Sequence, residues 1–165
     1  MSTVYIALGS NLGDREEHIK QAVIDIDNIE GCADVVCASI YETAPMGPQD
    51  QPDYLNSVCR CHCTLEPHVL LKELQLIEQQ HGRSRTTARW TARTLDLDIL
   101  LIDDKQIKDD VLLVPHAEIA NRSFVLWPLS ELDELLMVPG LGPVSELKQR
   151  CERLGIRRYD KGQSI

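Results

Sequence analysis

The amino-acid sequence predicts one α+β domain. Segments with strand character are interleaved with two segments of helical periodicity, and glycine- or proline-rich turns separate them. No internal repeat, low-complexity segment or linker divides the 165 residues. A chain of this length buries about two-thirds of the surface that its unfolded form exposes, so a hydrophobic core suffices to hold it together.

The first predicted unit is a strand, a turn and a helix. Residues 4–8 are apolar and prone to form a strand, and residues 9–13, Gly-Ser-Asn-Leu-Gly, have the composition of a turn. Asp14 and Glu17 make an N-terminal capping pattern for the helix. Its apolar positions recur at helical spacing at Ile19, Val23 and Ile26. The glycine segment lacks the Lys-Ser/Thr of a phosphate-binding loop and the glycine spacing of a dinucleotide site, so we interpret it as structural.

Two strands and a second helix are expected next. Residues 35–43 and 54–64 have strand character. Residues 44–52 between them contain three prolines, which predict a stiffened loop rather than a tight hairpin. Pro67 suits the first turn of a helix that Gly82 ends. The apolar stripe of this helix comprises Leu70, Leu71, Leu74 and Ile77.

A strand at residues 95–102 completes the order β-α-β-β-α-β. This order is typical of a ferredoxin-like α+β sandwich, which is the fold that we predict. Additional C-terminal elements are expected beyond it: a short strand at residues 111–114 and helices at 124–136 and 144–154.

The composition favours an acidic protein of the cytoplasm. The formal net charge is −9, and such a surface repels long polyanions, so nucleic acid is not an expected partner. The sequence has no run of about 18 apolar residues and no export signal, so we expect no membrane span.

Six cysteines occur in the sequence. Cys59, Cys61 and Cys63 alternate with Arg60 and His62, which places the three thiols on one face of a strand. Zinc sites usually draw their cysteines from a turn, whereas thiols at i and i+2 of a strand lie about 7 Å apart. We interpret the cysteines as small buried hydrophobic residues in a reducing compartment, with a metal site or a disulfide as the alternative.

Two carboxylates interrupt the apolar strand that follows the second helix. Asp96 and Asp98 are two positions apart, so their side chains are expected on one face. The opposite face takes Leu95, Leu97 and Ile99. Neighbouring carboxylates repel one another unless a cation lies between them or water surrounds them, and Mg²⁺ is commonly held by one or two carboxylates plus phosphates. A metal site is one interpretation, and a solvent-facing edge strand is the other.

An arginine-rich segment directly precedes the aspartates. Residues 83–93 read RSRTTARWTAR, with four arginines, one tryptophan and no acidic residue. We interpret the segment as an exposed loop whose guanidinium groups bind a polyphosphate beside the metal. A nucleic-acid patch or a merely mobile loop are the alternatives.

The sequence also contains four longer pieces in a fixed order: LGSNLGD, YETAPMGPQDQPDYLNSV, GRSRTTARWTARTLDLDILL and VPHAEIANRSFVLWPL. Together they resemble the 6-hydroxymethyl-7,8-dihydropterin pyrophosphokinase family of folate biosynthesis. The resemblance implies an enzyme that transfers the β,γ-pyrophosphoryl unit of ATP to the hydroxymethyl oxygen of a reduced pterin and releases AMP. It also implies two Mg²⁺ ions, and we expect a monomer without macromolecular partners.

The resemblance implies roles for individual residues. The metal ligands are Asp96 and Asp98, and Arg83 and Arg93 bind the phosphates during the reaction. The pterin-binding residues are Thr43, Ala44, Met46, Tyr54, Asn56 and Phe124, and the rings of Tyr54 and Phe124 enclose the pterin. The ATP-binding residues are Gln75, Glu78, Arg85, Trp90, Ile99, His116 and Arg122.

The chain departs from the family pattern at a few positions. Thr91 and Ala92 stand where Gly-Pro is common, and Thr86 follows Arg85 where a basic residue is frequent. No departure removes a charged group that the chemistry needs. The residues by themselves leave two other functions open: a different Mg²⁺-dependent nucleotidyl- or phosphotransferase, and a non-enzymatic metal-binding or interaction module.

Overall fold

The structure is a computed structural model of the chain that describes residues 1–44, 53–82, 94–153 and 155–159. Its helices are α1 (Arg15–Asp27), α2 (Pro67–Gln80), α3 (Ser123–Leu132) and α4 (Val144–Arg150). Its strands are β1 (Ser2–Ser10), β2 (Cys32–Cys37), β3 (Tyr41–Thr43), β4 (Tyr54–Cys63), β5 (Asp96–Ile102), β6 (Ile107–Lys108), β7 (Leu113–Val114), β8 (Met137–Val138), β9 (Gly142–Pro143) and β10 (Arg157–Arg158). The combination of helices with antiparallel strands confirms the predicted α+β class.

The main sheet contains six antiparallel strands in the order β10-β3-β4-β1-β5, and β2 pairs with β4 beside β3. Strand β4 is the longest, and its two halves pair with different segments of the chain. Its first residues face β3 and its last residues face β2. Strand β5, which carries the two aspartates, pairs with β1 and ends the path of the sheet.

The two faces of the sheet carry separate cores. On the α1–α2 face, alternate residues of β1, β4 and β5 pack against both helices. The strand residues include Ile6, Leu8 and Leu97, and the helix residues include Ile19 and Leu74. On the α3–α4 face, a second cluster joins Tyr5, Val58, Val125, Leu126 and Leu147.

The local signals that predicted α1 and α2 are present in the structure. The Asp14 side chain accepts a hydrogen bond from the Glu17 amide at 3.2 Å, which satisfies an amide at the start of α1. Pro67 is the first residue of α2, and Gly82 follows its end with a φ of 90°. Glycine tolerates this left-handed backbone conformation because it has no Cβ.

Several predicted boundaries are wrong. The strand expected at 35–43 is divided into β2 and β3. Both segments pair with β4, but the regular ladder is interrupted between them, where the Ala38 amide makes a single hydrogen bond to the Val58 carbonyl at 3.0 Å. The turn expected at 9–13 begins later, since β1 continues through Ser10. The helix expected at 124–136 ends at Leu132 because the next residues enter the β8–β9 hairpin. The helix expected at 144–154 ends at Arg150.

The cysteines follow the predicted strand pattern. Cys59, Cys61 and Cys63 are buried on the α1–α2 face, whereas Arg60 and His62 are partly exposed. All six cysteines carry free thiols. Burial raises the pKa of the Cys63 thiol to about 11, so its reactive thiolate is scarce at neutral pH. Among the described residues, no helix has the length and apolar character needed to span a membrane.

Candidate active site

One row of residues crosses the sheet on the α3–α4 face. Asp96 lies opposite Gly9 in the β1–β5 pair, and Gly9 lies opposite Asn56 in the β1–β4 pair. Directly opposed residues of antiparallel strands point to the same face. The row therefore places a predicted metal ligand and a predicted pterin ligand on one face, with a glycine between them.

Asp96 and Asp98 share this face, as predicted. Both side chains are partly buried, and the alternate positions Leu95, Leu97 and Ile99 are buried in the opposite core. Asp98 lies opposite Ala7, a small residue two positions before Gly9 and on the same face of β1. The carboxylates thus stand on a strand whose apolar side is fixed in the core.

Gly9 provides room in the middle of the row. A Cβ at this position would lie 2.9 Å from Asn56 Oδ1 and 3.7 Å from Tyr54 Cδ1. Real side chains essentially never approach so closely, so the absence of a Cβ allows the Asn56 amide to lie across β1. Sequence reasoning assigned Gly9 to a structural turn and missed it as a site residue.

Asn56 is held by a second predicted pterin residue. Its Nδ2 donates to Thr43 Oγ1 at 3.2 Å, and both side chains are buried. Because this bond uses one amide N–H, it fixes the plane in which the rest of the amide presents its donor and acceptor. Ala44, the next residue after β3, is exposed.

Phe124 and Arg122 lie together at the start of α3. The Arg122 guanidinium carbon is 5.6 Å from the centre of the Phe124 ring, a distance that permits a cation–π interaction. Phe124 is partly buried beside the α3–α4 core. The flat ring and the cation therefore belong to one unit of the site.

His116 is neutral at neutral pH. Burial lowers its pKa, and the charge of Arg122 lowers it further, whereas Glu118 and Asp96 raise it by smaller amounts. The Glu118 amide donates to His116 Nδ1 at 3.1 Å, so the ring proton is on Nε2, where it can be donated. These influences also place His116 near two other predicted site residues, Arg122 and Asp96.

Helix α2 supplies two predicted ATP residues. Gln75 is partly buried, and Glu78 is buried with only 5% of its surface exposed. Glu78 Oε2 accepts a hydrogen bond from the Leu97 amide at 2.7 Å, which commits this oxygen to strand β5. The side chain of Ile99 is buried in the α1–α2 core, so only its backbone is in a position to meet a ligand on the other face.

A network of charges surrounds the ends of the proline-rich segment. Arg15 donates to the Glu42 carboxylate at 3.0 Å and to the Asp53 carbonyl at 2.8 Å. Arg157 in β10 reaches the carboxylates of Glu42 and Asp53, each at 3.0 Å. Since Glu42 precedes the segment and Asp53 follows it, the network holds its two ends together. Sequence reasoning missed these four residues because their partners are distant in the chain.

Five predicted site residues lie outside the described residues. They are Met46 of the pterin group, Arg85 and Trp90 of the ATP group, and the phosphate-binding Arg83 and Arg93. The remaining predicted residues lie on or directly after β3, on β4, β5 and α2, and in the segment from His116 to Phe124, and the side chain of Ile99 is in the α1–α2 core.

The donor set fits magnesium. Two carboxylates share one face, and the part of the chain that the structure describes contains no group of three or more His, Cys, Asp or Glu residues able to hold a metal. Mg²⁺ seldom needs a cage made only of protein ligands, because it usually keeps waters and binds substrate phosphates. Asp96 and Asp98 are therefore suited to an ion that arrives with a nucleotide.

Comparison with known proteins gives one consistent match. A family model described as 7,8-dihydro-6-hydroxymethylpterin-pyrophosphokinase (HPPK) matches residues 5–134. The chain is 44% identical over 147 residues to the 2-amino-4-hydroxy-6-hydroxymethyldihydropteridine pyrophosphokinase of Haemophilus influenzae, covering 89% of this chain and 91% of that protein. It is 38% identical over 156 residues to the folic acid synthesis protein fol1 of Schizosaccharomyces pombe, covering 94% of this chain but 21% of that protein.

The fold is similar to that of solved structures. A crystal structure of HPPK-DHPS in complex with substrates superposes with a TM-score of 0.69 at 11% identity. The match covers 90% of this chain and 45% of that chain, so the present chain spans less than half of the longer protein. At this identity the likeness concerns the fold alone.

Proposed function

The chain belongs to the 7,8-dihydro-6-hydroxymethylpterin-pyrophosphokinase family, and on this premise we propose how its residues divide the reaction between them. It is an enzyme that transfers pyrophosphate from ATP to the hydroxymethyl group of 6-hydroxymethyl-7,8-dihydropterin in folate synthesis. The products are AMP and the pterin diphosphate.

The observation that carries the division of roles is the row Asn56–Gly9–Asp96. Neighbouring strands of a sheet lie about 4.8 Å apart, so a pterin bound at Asn56 is within reach of phosphates held at Asp96. Phosphoryl transfer requires mainly that the acceptor oxygen and the attacked phosphorus be aligned. Three adjacent strands with fixed register supply that alignment.

Asp96 and Asp98 are proposed to hold two Mg²⁺ ions together with the ATP phosphates. The ions, when bound, neutralise the negative charge that develops on the phosphate oxygens. The chain itself orients the two carboxylates by anchoring Leu95, Leu97 and Ile99 in the core behind them. This support keeps the ligands in place before the nucleotide arrives.

Arg83 and Arg93 are proposed to bind the phosphates during transfer. Guanidinium groups form paired hydrogen bonds with phosphate oxygens and stabilise the transition state when they are better aligned with it than with the ground state. Arg85 and Trp90 are assigned to the same segment as ATP contacts that exclude water on closure.

The pterin is proposed to lie between the rings of Tyr54 and Phe124. A flat polar heterocycle binds well between aromatic faces with hydrogen-bonding groups at its edge. The Asn56 amide, steadied by Thr43, and the backbone of Thr43, Ala44 and Met46 are proposed to serve that edge.

The nucleotide base and sugar are assigned to α2 and to the segment before α3. Gln75 and Glu78 on α2, the backbone of Ile99, and the side chains of His116 and Arg122 are the proposed ATP contacts. In particular, the Nε2–H of neutral His116 is a donor suited to a phosphate or sugar oxygen.

The proposal extends to the fold topology, the location in the cell and the oligomeric state. The strand order supports a ferredoxin-like sandwich, formed by β1, α1, the divided second strand, β4, α2 and β5, within a single domain. We infer a cytoplasmic monomer that binds ATP and a reduced pterin, without nucleic acid or membrane partners. The free cysteines agree with a reducing compartment.

Analysis of the released nucleotide tests the reaction. The protein is incubated with Mg²⁺, ATP and 6-hydroxymethyl-7,8-dihydropterin, and the products are separated chromatographically. We expect AMP and a pyrophosphorylated pterin in equal amounts. Release of ADP or of free pyrophosphate would instead indicate an ordinary phosphotransferase or a nucleotidyltransferase.

A further inference from the structure

The backbone amide of Leu97 on strand β5 donates its hydrogen bond to helix α2. Leu97 lies between the two aspartates, and β5 pairs with β1 at the end of the sheet path. Amides on the outer side of such a strand need partners other than a neighbouring strand. The Leu97 amide donates to Glu78 Oε2 on α2 at 2.7 Å, in a buried environment.

This bond is strong for physical reasons. A buried carboxylate loses its hydration and depends on donors supplied by the protein. A hydrogen bond from an amide to an ionised oxygen is roughly twice as strong as one between neutral groups, and its short length is typical of that class. Glu78 follows Leu70, Leu74 and Ile77, which fix α2 in the core. The acceptor is therefore attached to a rigid support.

The bond also closes a loop in the chain. Glu78 lies before the arginine-rich segment 83–93, and Leu97 lies after it. The hydrogen bond thus fixes two described stretches of chain, one before and one after the segment, relative to one another. It does so next to Asp96 and Asp98.

We propose that Glu78 is a positioning residue for the metal site, acting through the Leu97 amide. The inference rests on the proposed function of Asp96 and Asp98 as Mg²⁺ ligands. Without the acceptor, the amide is left buried and unsatisfied, so the strand moves to find another partner. Because the two aspartates flank Leu97, their carboxylates turn with it, and metal affinity falls.

The positioning role of Glu78 and its proposed contact with ATP have different experimental signatures. A direct contact would change the Michaelis constant for ATP while the metal requirement stays constant. A positioning role changes the affinity for the divalent ion itself. It also depends first on the acceptor oxygen, so glutamine, which retains a carbonyl oxygen at the same distance along the side chain, keeps the hydrogen bond in its weaker, neutral form.

The test compares Glu78→Gln with Glu78→Leu, which keeps the approximate volume but removes the acceptor. Glu73→Leu on the same helix is the matched control, since Glu73 has no assigned role in the site. Binding of Mn²⁺, a spectroscopic substitute for Mg²⁺, is measured by electron paramagnetic resonance in the presence of α,β-methylene ATP. The Mg²⁺ concentration for half-maximal rate is measured at saturating ATP and pterin.

We expect Glu78→Leu to weaken Mn²⁺ binding and raise the Mg²⁺ requirement by about 10- to 100-fold, the usual cost of losing a residue that orients metal ligands. Glu78→Gln is expected to lose much less than Glu78→Leu in both measurements, and Glu73→Leu to stay close to the wild type. Unchanged metal binding in Glu78→Leu, or an equal loss in Glu78→Gln, would overturn the proposal.

A second measurement covers the case in which Glu78→Leu does not fold. Hydrogen exchange of the Leu97 amide is followed by NMR in the wild type and in Glu78→Gln. We expect slow exchange in both proteins, despite the outer position of the strand, whereas rapid exchange in the wild type refutes the bond. A failure of the proposed function is recognised separately, because then the wild type itself releases no AMP.

Discussion

The two faces of the main sheet use the same strands for different purposes. On the α1–α2 face, β1 contributes Val4, Ile6 and Leu8 to the apolar core. On the α3–α4 face, the apolar core includes Tyr5 but gives way to Ala7 and Gly9. The change occurs within one strand, between residues that are neighbours in sequence.

The comparison shows how an enzyme of this size keeps a polar site rigid. Asp96 and Asp98 alternate with Leu97 and Ile99, so each site residue lies next to a buried anchor. The α1–α2 core anchors the strand that carries the aspartates, and the proposed metal site lies on its other face. Mutations on the two faces should therefore have separable effects.

The largest effect is expected at the metal ligands. Asp96→Asn and Asp98→Asn each remove a negative charge from the proposed metal site, so kcat/KM should fall by at least about 1,000-fold, as for loss of a main electrostatic group. The melting temperature should change little, because neither side chain belongs to a core. Steady-state kinetics and calorimetry check the two expectations, with exposed Asp104→Asn as the control. Near-normal turnover in either variant would remove the basis of the metal assignment.

The second effect is the converse and concerns the α1–α2 face. Ile26→Ala leaves a cavity in the fully buried core, so the free energy of unfolding should fall by about 2–5 kcal/mol. At temperatures where the variant is folded, kcat should stay within about threefold of the wild type, since Ile26 belongs to α1, which carries none of the proposed site residues. Urea unfolding and kinetics measure both quantities. A kcat that falls as steeply as stability would show that the faces are not independent.

A third, smaller effect is expected where the faces meet at Gly9. In Gly9→Ala the new Cβ forces the Asn56 amide to move, so the KM for the pterin should rise about tenfold, the equivalent of one lost hydrogen bond. The double variant Gly9→Ala, Asn56→Ala provides the control. If the alanine acts through Asn56, its effect is much smaller once the amide is absent. Additive losses would argue against this route.

A fourth effect concerns the exposed charges around the proline-rich segment. Arg157→Ala breaks contacts with Glu42 and Asp53, but partly exposed ion pairs contribute only about 0.2–1 kcal/mol each. We expect a rise of a few-fold in the KM for the pterin and no change in kcat. The adjacent Arg158→Ala is a matched control, because Arg158 pairs with Glu131 instead. Equal effects of the two variants would exclude a specific role for the network.

The smallest effect is a pH dependence of stability. Burial lowers the pKa of His18, and the neighbouring His81, whose Nδ1 lies 2.7 Å from that of His18, lowers it further. The unfolded chain therefore takes up the proton more readily than the folded chain. The contribution of His18 to the free energy of unfolding has its full value above about pH 6.5 and declines as the pH falls below that value. The unfolding free energies of the wild type and His18→Gln are measured between about pH 5 and about pH 8, on both sides of that value. They should diverge at low pH, because the wild type loses more stability there. Parallel curves would contradict the expectation.

Much of the fold and part of the site follow from local sequence. The period of two along β5 was sufficient to place Asp96 and Asp98 on one face, and capping residues located the start of α1. Asn56 and Thr43 were expected near the pterin from the resemblance, and the structure joins them by a hydrogen bond. Such features depend on residues that are close in sequence or on motifs that are already recognisable.

The remainder depends on pairings between distant segments. Gly9 belongs to the site only because the register of β1 places it between Asn56 and Asp96. The bond between Glu78 and Leu97 and the division of the strand at residues 38–40 likewise arise from tertiary contacts. No local pattern encodes a register, so these features were absent from the sequence prediction or wrong in it.

Strand β10 has a practical implication for protein engineering. It adds Arg157 to the charges around the proline-rich segment and pairs with β3, which carries the proposed pterin residue Thr43, so the chain near its last described residues is coupled to the proposed pterin site. An affinity tag or reporter fused there would displace β3 and the proposed pterin site whenever it disturbed this pairing. Attachment at exposed Met1, which precedes strand β1, avoids that linkage to β10 and is the safer choice for immobilisation or fluorescence assays.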